Sequence, residues 1–299
     1  MKTMQTFKTS TVQANGIQFQ YLEVGTGPLA LCMHGFPDSP WTYRYLLPEL
    51  AKAGYRAVAP FMRGYAPTEV PADGNYQTSA LAADVVALHE ALGGDEKSVL
   101  IGHDWGSVAA LGAAAQAPQR WRRCVLMSVP PFAVFGQIAF SYEQIKRSFY
   151  FWFFQMQIAD AIVPGNDLAF IDGLWADWSP GYDAKEDLLH VKDCLRNPAN
   201  LQAAMGYYRS LFHPARFGSP AGMEEQIAAW GRPIPQPTLY LHGTQDGCVG
   251  LDAEATKSVL AFLGTSSAAE QINGVGHFML VENSAQINER ILQFLGQAK

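Results

Sequence analysis

Apolar residues along this chain arrive in two rhythms. Short unbroken apolar runs occupy residues 29–33, 56–59, 98–101, 124–127 and 238–242. Between the first four lie longer stretches, residues 41–53, 81–92 and 108–117, whose apolar positions recur at helical spacing. An unbroken run fits a strand covered on both faces, and a 3.6-residue period fits an amphipathic helix. Their alternation predicts parallel strands joined by right-handed helical crossovers. Ahead of them, residues 6–13 and 17–24 flank Asn15-Gly16, a strong two-residue turn signal, so the sheet is expected to open with an antiparallel pair.

The rhythm breaks at Pro130-Pro131 and resumes at Pro237. The intervening stretch is rich in aromatics (residues 149–154, Trp175, Trp178, Tyr207, Tyr208) and helical in period, with loops signalled at Pro164-Gly165-Asn166 and Ser179-Pro180-Gly181. A core built from residues 1–129 and 237–299 is therefore expected, with residues 130–236 inserted as a helical cap. After the break come a helix near 251–262, a strand near 269–272 and a closing helix over 284–295, which makes a mostly parallel eight-stranded sheet. The sequence has no internal repeat and no low-complexity tract.

With 299 residues, 48% of them hydrophobic, the chain can bury a large core. Its net charge of -6 is scattered rather than blocked, which argues against nucleic acid or an anionic membrane as partner. Residues 1–10 lack a signal-peptide apolar stretch and no segment has the length and purity of a membrane span, so a cytoplasmic protein, monomer or homodimer, is expected. Cys32, Cys124, Cys194 and Cys248 are far apart, with no histidine at ligand spacing. Free thiols, no metal and no catalytic cysteine are expected.

Chemistry concentrates where strands end. The strand at 98–101 runs into Gly102-His103-Asp104-Trp105-Gly106-Ser107 and then into an alanine-rich helix. That is the frame of a nucleophile elbow, G-x-nucleophile-x-G, with aspartate as the nucleophile. The bland alternative is that Asp104 caps the helix. Upstream, the strand at 29–33 ends in His34-Gly35-Phe36-Pro37. In that topology the backbone N–H groups of Phe36 and Trp105 would form an oxyanion hole, with Pro37 shaping the loop at a bond that admits the cis form. Downstream, Asp246 follows one strand and His277 the next, so nucleophile, acid and base come in the order this topology uses.

Aspartate decides the reaction type. A carboxylate is ionised at neutral pH and displaces a leaving group from carbon without a base, forming an ester. His277, oriented by Asp246, is then free to activate water for attack on the ester carbonyl.

These segments resemble the epoxide hydrolase branch of the α/β-hydrolases, relatives of the haloalkane and fluoroacetate dehalogenases. The resemblance rests on residues 34–39 (HGFPDS), Arg63-Gly64-Tyr65, residues 102–107 (GHDWGS), Asp246 and Gly276-His277. It implies the α/β-hydrolase fold, a small hydrophobic epoxide and water as substrates, and no cofactor. It also implies two cap tyrosines that grip the epoxide oxygen. Ser148-Phe149-Tyr150 resembles the segment with the first, and Met205-Gly206-Tyr207-Tyr208-Arg209 the second, Tyr208 being the better match. Trp152, Phe278, Tyr207 and Pro37 are expected around the substrate. Phe61-Met62 stand where the family commonly has an aspartate.

The alternative from the same branch is a dehalogenase, in which Trp105 and Trp152 would cradle a halide. Phe36 in place of the asparagine of many haloalkane dehalogenases, and Phe151 where fluoroacetate dehalogenases carry histidine, point away from it. A non-catalytic ligand binder of the same fold would more naturally lack one of the three polar residues.

Overall fold

The computed structural model describes residues 7–296; Thr6, where the sequence pattern starts the first strand, lies outside them, as do the rest of residues 1–6 and 297–299. Eight strands form one sheet: β1 (Lys8–Ala14), β2 (Ile17–Val24), β3 (Leu29–Met33), β4 (Arg56–Pro60), β5 (Val99–His103), β6 (Arg123–Met127), β7 (Thr238–Gly243) and β8 (Ala268–Ile272). Their order is β1-β2-β4-β3-β5-β6-β7-β8. β1 and β2 pair antiparallel, turning at Asn15 and Gly16, both with positive φ. β2 also runs antiparallel to β4, and every later pairing is parallel. The unbroken apolar runs have their cause here: β3, β5, β6 and β7 are buried along their whole length, whereas β8, at the edge, is half-buried.

Helices α1 (Leu46–Lys52), α2 (Thr78–Ala91) and α3 (Trp105–Gln116) join the early parallel strands. The single helix expected over 41–53 is instead a 3-10 turn, Pro40–Tyr43, followed by α1. Proline lacks an N–H and is tolerated only in a first turn; starting the helix at Leu46 keeps Pro48 there.

Between β6 and β7 stand eight helices: α4 (Phe132–Ile138), α5 (Tyr142–Arg147), α6 (Phe149–Phe153), α7 (Ala159–Ile162), α8 (Gly165–Trp178), α9 (Lys185–Leu195), α10 (Pro198–Leu211) and α11 (Pro220–Trp230). The loop signal at 164–166 has a physical residue, since Asn166, Asp167 and Leu168 take left-handed φ values of 50°, 52° and 62° at the head of α8. The last helix of the layer, α11, packs on α2 and α3. There Gln226 Oε1 accepts hydrogen bonds from Thr78 Oγ1 at 2.8 Å and Trp230 Nε1 at 3.0 Å.

After β7 come α12 (Ala253–Ser258), a 3-10 turn, α13 (Met279–Glu282) and α14 (Ser284–Gly296). The helix expected near 251–262 thus starts later, at an Asp252 cap that accepts the N–H of Ala255 at 2.8 Å.

Candidate active site

Four loops at the carboxyl ends of β3, β5, β7 and β8 bring Phe36, Asp104, Asp246 and His277 together. Asp104 sits on the turn from β5 to α3 with φ 54° and ψ −121°, a strained conformation for a non-glycine residue. The turn is held by its neighbours. Ser107 Oγ lies 2.9 Å from the carbonyls of Gly102 and Met127, and the Asp104 N–H donates to Met127 O at 3.1 Å. A Cβ on Gly106 would lie 1.9 Å from the Met33 carbonyl oxygen, so only glycine lets the helix approach β3 this closely. Although Asp104 stands at the N-cap position of α3, its side chain makes no capping hydrogen bond there.

The carboxylate points the other way, its Oδ1 accepting the Phe36 N–H at 2.7 Å while the Trp105 N–H also bonds to the group. Gly35 is required for this contact, because a Cβ there would lie 2.2 Å from Oδ1. The Phe36-Pro37 peptide is cis. The second oxygen, Oδ2, lies 3.7 Å from His277 Nε2. Burial pushes the Asp104 pKa up to about 6, against the pull of His277 and of the two N–H groups.

Asp246 Oδ2 is 3.0 Å from His277 Nδ1, and its Oδ1 accepts the N–H groups of Cys248 at 2.7 Å and Val249 at 2.9 Å. Burial works against both charges here, yet their mutual attraction outweighs it: the His277 pKa is raised and the Asp246 pKa lowered. With Nδ1–H donating to Asp246, Nε2 carries the lone pair that faces Asp104. The end of α8 holds both loops, since Trp178 O accepts the N–H of His277 at 2.9 Å and of Gly247 at 3.1 Å. Ser179 Oγ accepts the Phe278 N–H and donates to Glu282, whose other oxygen accepts the Gly276 N–H.

Above Asp104 opens a cavity of about 210 Å³ whose wall is apolar, including Val108, Val129, Phe132, Phe135, Phe151, Phe212 and Trp230. Tyr150, from α6, and Tyr208, from α10, line it, their rings 5.2 Å apart. Burial pushes both phenols well above their ordinary range, so they stay protonated and can donate. Trp105 lines the same space.

Four expected wall residues lie elsewhere. Tyr207 is one helical position from Tyr208 and so points about 100° away; its hydroxyl donates to Arg63 O at 2.8 Å and its ring packs on Tyr65, Tyr76 and Trp105. Trp152, two positions beyond Tyr150, is 37% exposed and packs on Phe212 and Phe217. No cradle with Trp105 forms. Phe278 is buried against Trp175, Trp178 and His277. Pro37 accepts the Trp175 indole N–H at 2.7 Å through its carbonyl and lies behind the Phe36 turn rather than in the wall.

Three residues that the sequence did not assign to the site belong to it. Cys248, two positions past Asp246, lines the cavity, with Sγ 3.4 Å from the Tyr150 hydroxyl. Asp38 and His103 make a second buried acid–imidazole contact, Oδ2 to Nδ1 at 3.8 Å. Both flank motif residues, Asp38 following Pro37 and His103 preceding Asp104, which is the signal that was there to find. Phe61-Met62, the departure before Arg63, serve this region through the backbone: the Met62 N–H donates to His34 Nε2 at 3.0 Å.

Residues 28–284 match the alpha/beta hydrolase fold family. An epoxide hydrolase of Caballeronia sordidicola is 30% identical, over 96% of this chain and 93% of the relative. Epoxide hydrolase A of Mycobacterium tuberculosis is 29% identical, over 95% and 96%. Among solved structures, an epoxide hydrolase from an endophytic Streptomyces superposes with a TM-score of 0.80 at 28% identity, covering 97% of this chain and 95% of that one. One from Vigna radiata gives 0.81 at 25% identity, over 98% and 99%. The strand order, the aspartate on the turn after β5 and these likenesses agree: this chain is a hydrolase of the α/β hydrolase fold family, in its epoxide hydrolase branch.

Proposed function

We propose that the protein hydrolyses small hydrophobic epoxides to vicinal diols through an ester on Asp104. The observation that carries this reading is the orientation of that carboxylate, with one oxygen held by the Phe36 backbone N–H and the other turned toward His277 beneath two protonated tyrosines. Residues 130–236 act as a cap that supplies the tyrosines to a core of residues 1–129 and 237–299.

Asp104 Oδ2 attacks one epoxide carbon and its bond to the ring oxygen breaks. Tyr150 and Tyr208 donate to that oxygen and supply its proton, so no free alkoxide develops. The ester carbonyl is then Oδ1, which already accepts the Phe36 N–H; with the Trp105 N–H, which also bonds to this carboxyl group, it makes the proposed oxyanion hole. His277, with Asp246 as the third member of the triad, removes a proton from water, and the hydroxide attacks Cγ. The oxyanion forms on Oδ1, where each such donor is worth roughly a hundredfold or more in rate. Collapse breaks the bond from Cγ to Oδ2, so the diol leaves with an oxygen that began on Asp104. Turning Trp152 outward takes away one half of the expected halide cradle, which favours the epoxide over a haloalkane.

Mixing the His277→Gln variant with styrene oxide and measuring intact mass tests the proposal. An adduct of the epoxide's mass on the peptide containing Asp104, with diol released only by the parent enzyme, is expected. No adduct, or one formed from 1-bromobutane alone, overturns it.

A further inference from the structure

The sequence spacing offers no metal ligands, but folding assembles a set. A carboxylate oxygen of Asp104, Sγ of Cys248 and a ring nitrogen of His277 lie within 4.8 Å of one another, all three buried. His277 Nδ1 is taken by Asp246, so the available nitrogen is Nε2, which has no hydrogen-bond partner and stands 3.7 Å from Asp104 Oδ2. We propose that Asp104, Cys248 and His277 form an inhibitory binding site for a thiophilic divalent cation, zinc above all.

The donor chemistry selects the ion. One sulfur, one imidazole nitrogen and one carboxylate oxygen with a fourth position open is a zinc-type set, whereas magnesium and calcium want several hard oxygens. Tetrahedral zinc puts such donor pairs about 3.3–3.6 Å apart; the Asp104–His277 pair is already near that spacing, and the cysteine sulfur lies within 4.8 Å of both donors. The imidazole is fixed for the task by a carboxylate on its other nitrogen, the arrangement that orients zinc-bound histidines. Zinc displaces the thiol proton, which leaves to solvent, and His277 Nε2 already carries a lone pair. Asp104 carboxylate, thiolate and dication then sum to zero charge, so the ion adds no net charge to the apolar cavity beyond the Asp246 carboxylate that already holds His277 Nδ1. The Tyr150 hydroxyl, 3.4 Å from Sγ, is positioned to donate to the thiolate.

Binding itself needs no epoxide. Inhibition rests on the proposed function, because the ion occupies the lone pairs of both the nucleophile and the base. Cobalt(II) is the probe that separates the two. Added to chelator-treated enzyme, cobalt is expected to give intense visible bands of tetrahedral coordination and a thiolate-to-cobalt charge-transfer band in the near ultraviolet. Cys248→Ala is expected to lose the charge-transfer band. His277→Gln, which keeps the thiol, should lose the tetrahedral set as well. In turnover of styrene oxide, zinc should inhibit competitively and reversibly by EDTA, with magnesium inert. Cys248→Ala should raise the half-inhibitory zinc concentration more than about a hundredfold, beyond what loss of an outer partner produces. Weak octahedral cobalt bands without charge transfer, or equal zinc inhibition of Cys248→Ala and the parent, overturn the proposal. A proper cobalt spectrum on an enzyme that leaves epoxides intact would sink the proposed function and leave the metal site standing.

Discussion

Two buried aspartate–histidine contacts lie side by side here and hold their protons in opposite ways. Asp246 and His277 approach to 3.0 Å; Asp38 and His103 stop at 3.8 Å. In the first pair the acid's pKa is lowered and the imidazole's raised. In the second, burial drives Asp38 up to about 8 and His103 down to about 3, so at neutral pH a protonated acid faces a neutral ring. The rings are both fully buried, so burial alone does not distinguish them. What differs is the donor count. Asp246 receives two backbone N–H groups and the imidazole N–H, and such charge-assisted bonds hold a carboxylate ionised. Asp38 receives the Ser39 N–H on Oδ1, and its Oδ2 has no partner within hydrogen-bond distance.

Tautomers follow. His103 Nε2 lies 2.9 Å from the His277 carbonyl, which only accepts, so that nitrogen carries the proton and Nδ1 presents a lone pair toward Asp38. His277 is the reverse, with Nδ1 protonated and Nε2 bare. In the proposed function the first pair takes a proton from water; the second braces its backbone, through His103 Nε2 on the His277 carbonyl.

Replacing Asp246 with Asn breaks the comparison most severely. An amide removes the charge that lifts His277 and releases its tautomer. Diol release is expected to fall by about 10²–10⁴, the range of general-base contributions, while formation of the Asp104 ester proceeds. Rapid quench with mass detection separates the steps, and a parallel fall in ester formation would count against the assignment.

The pH dependence comes next in size. His277 must be neutral to act as base, and its raised pKa means that release weakens as pH drops through that value, by about tenfold per unit well below it. Asp104 stays ionised down to about 6, so ester formation outlasts release on the acid side. The fraction of enzyme held as ester during turnover should therefore rise as pH is lowered from 9 toward 6.5. A constant fraction would mean that a different group limits release.

How much of this was legible in the sequence depends on the kind of contact. The sheet was readable because β3, β5, β6 and β7 are buried on both faces and their runs are unbroken; Asp104 and Asp246 follow two of those runs, whereas His277 follows the half-buried edge strand β8 and was found through its place in the order of the three residues and the Gly276-His277 pair. Cavity walls were not. Tyr207 and Tyr208 are adjacent in sequence and diverge in space because a helix turns about 100° per residue. Asp38 with His103, and Cys248 with Asp104, meet across loops from different strands, and no local period records a contact of that range.

Asp38→Asn has the smallest effect and tests the second pair directly. Between pH 4 and 8 folded Asp38 holds a proton that the unfolded chain, with an ordinary aspartate near 3.8, has lost. The unfolded state therefore binds fewer protons in that window, and this group's contribution to stability falls as pH rises through it. Asparagine mimics the protonated acid and does not titrate. The variant should match the parent near pH 4 and exceed it at pH 8 by several kcal/mol, at about 1.4 kcal/mol per unit of pKa difference between the two states, with turnover changed less than about tenfold because neither side chain touches the reacting atoms. Denaturant melts at both pH values decide it: if the variant is the less stable at pH 8, Asp38 is an ionised partner of His103 and the two pairs differ only in distance.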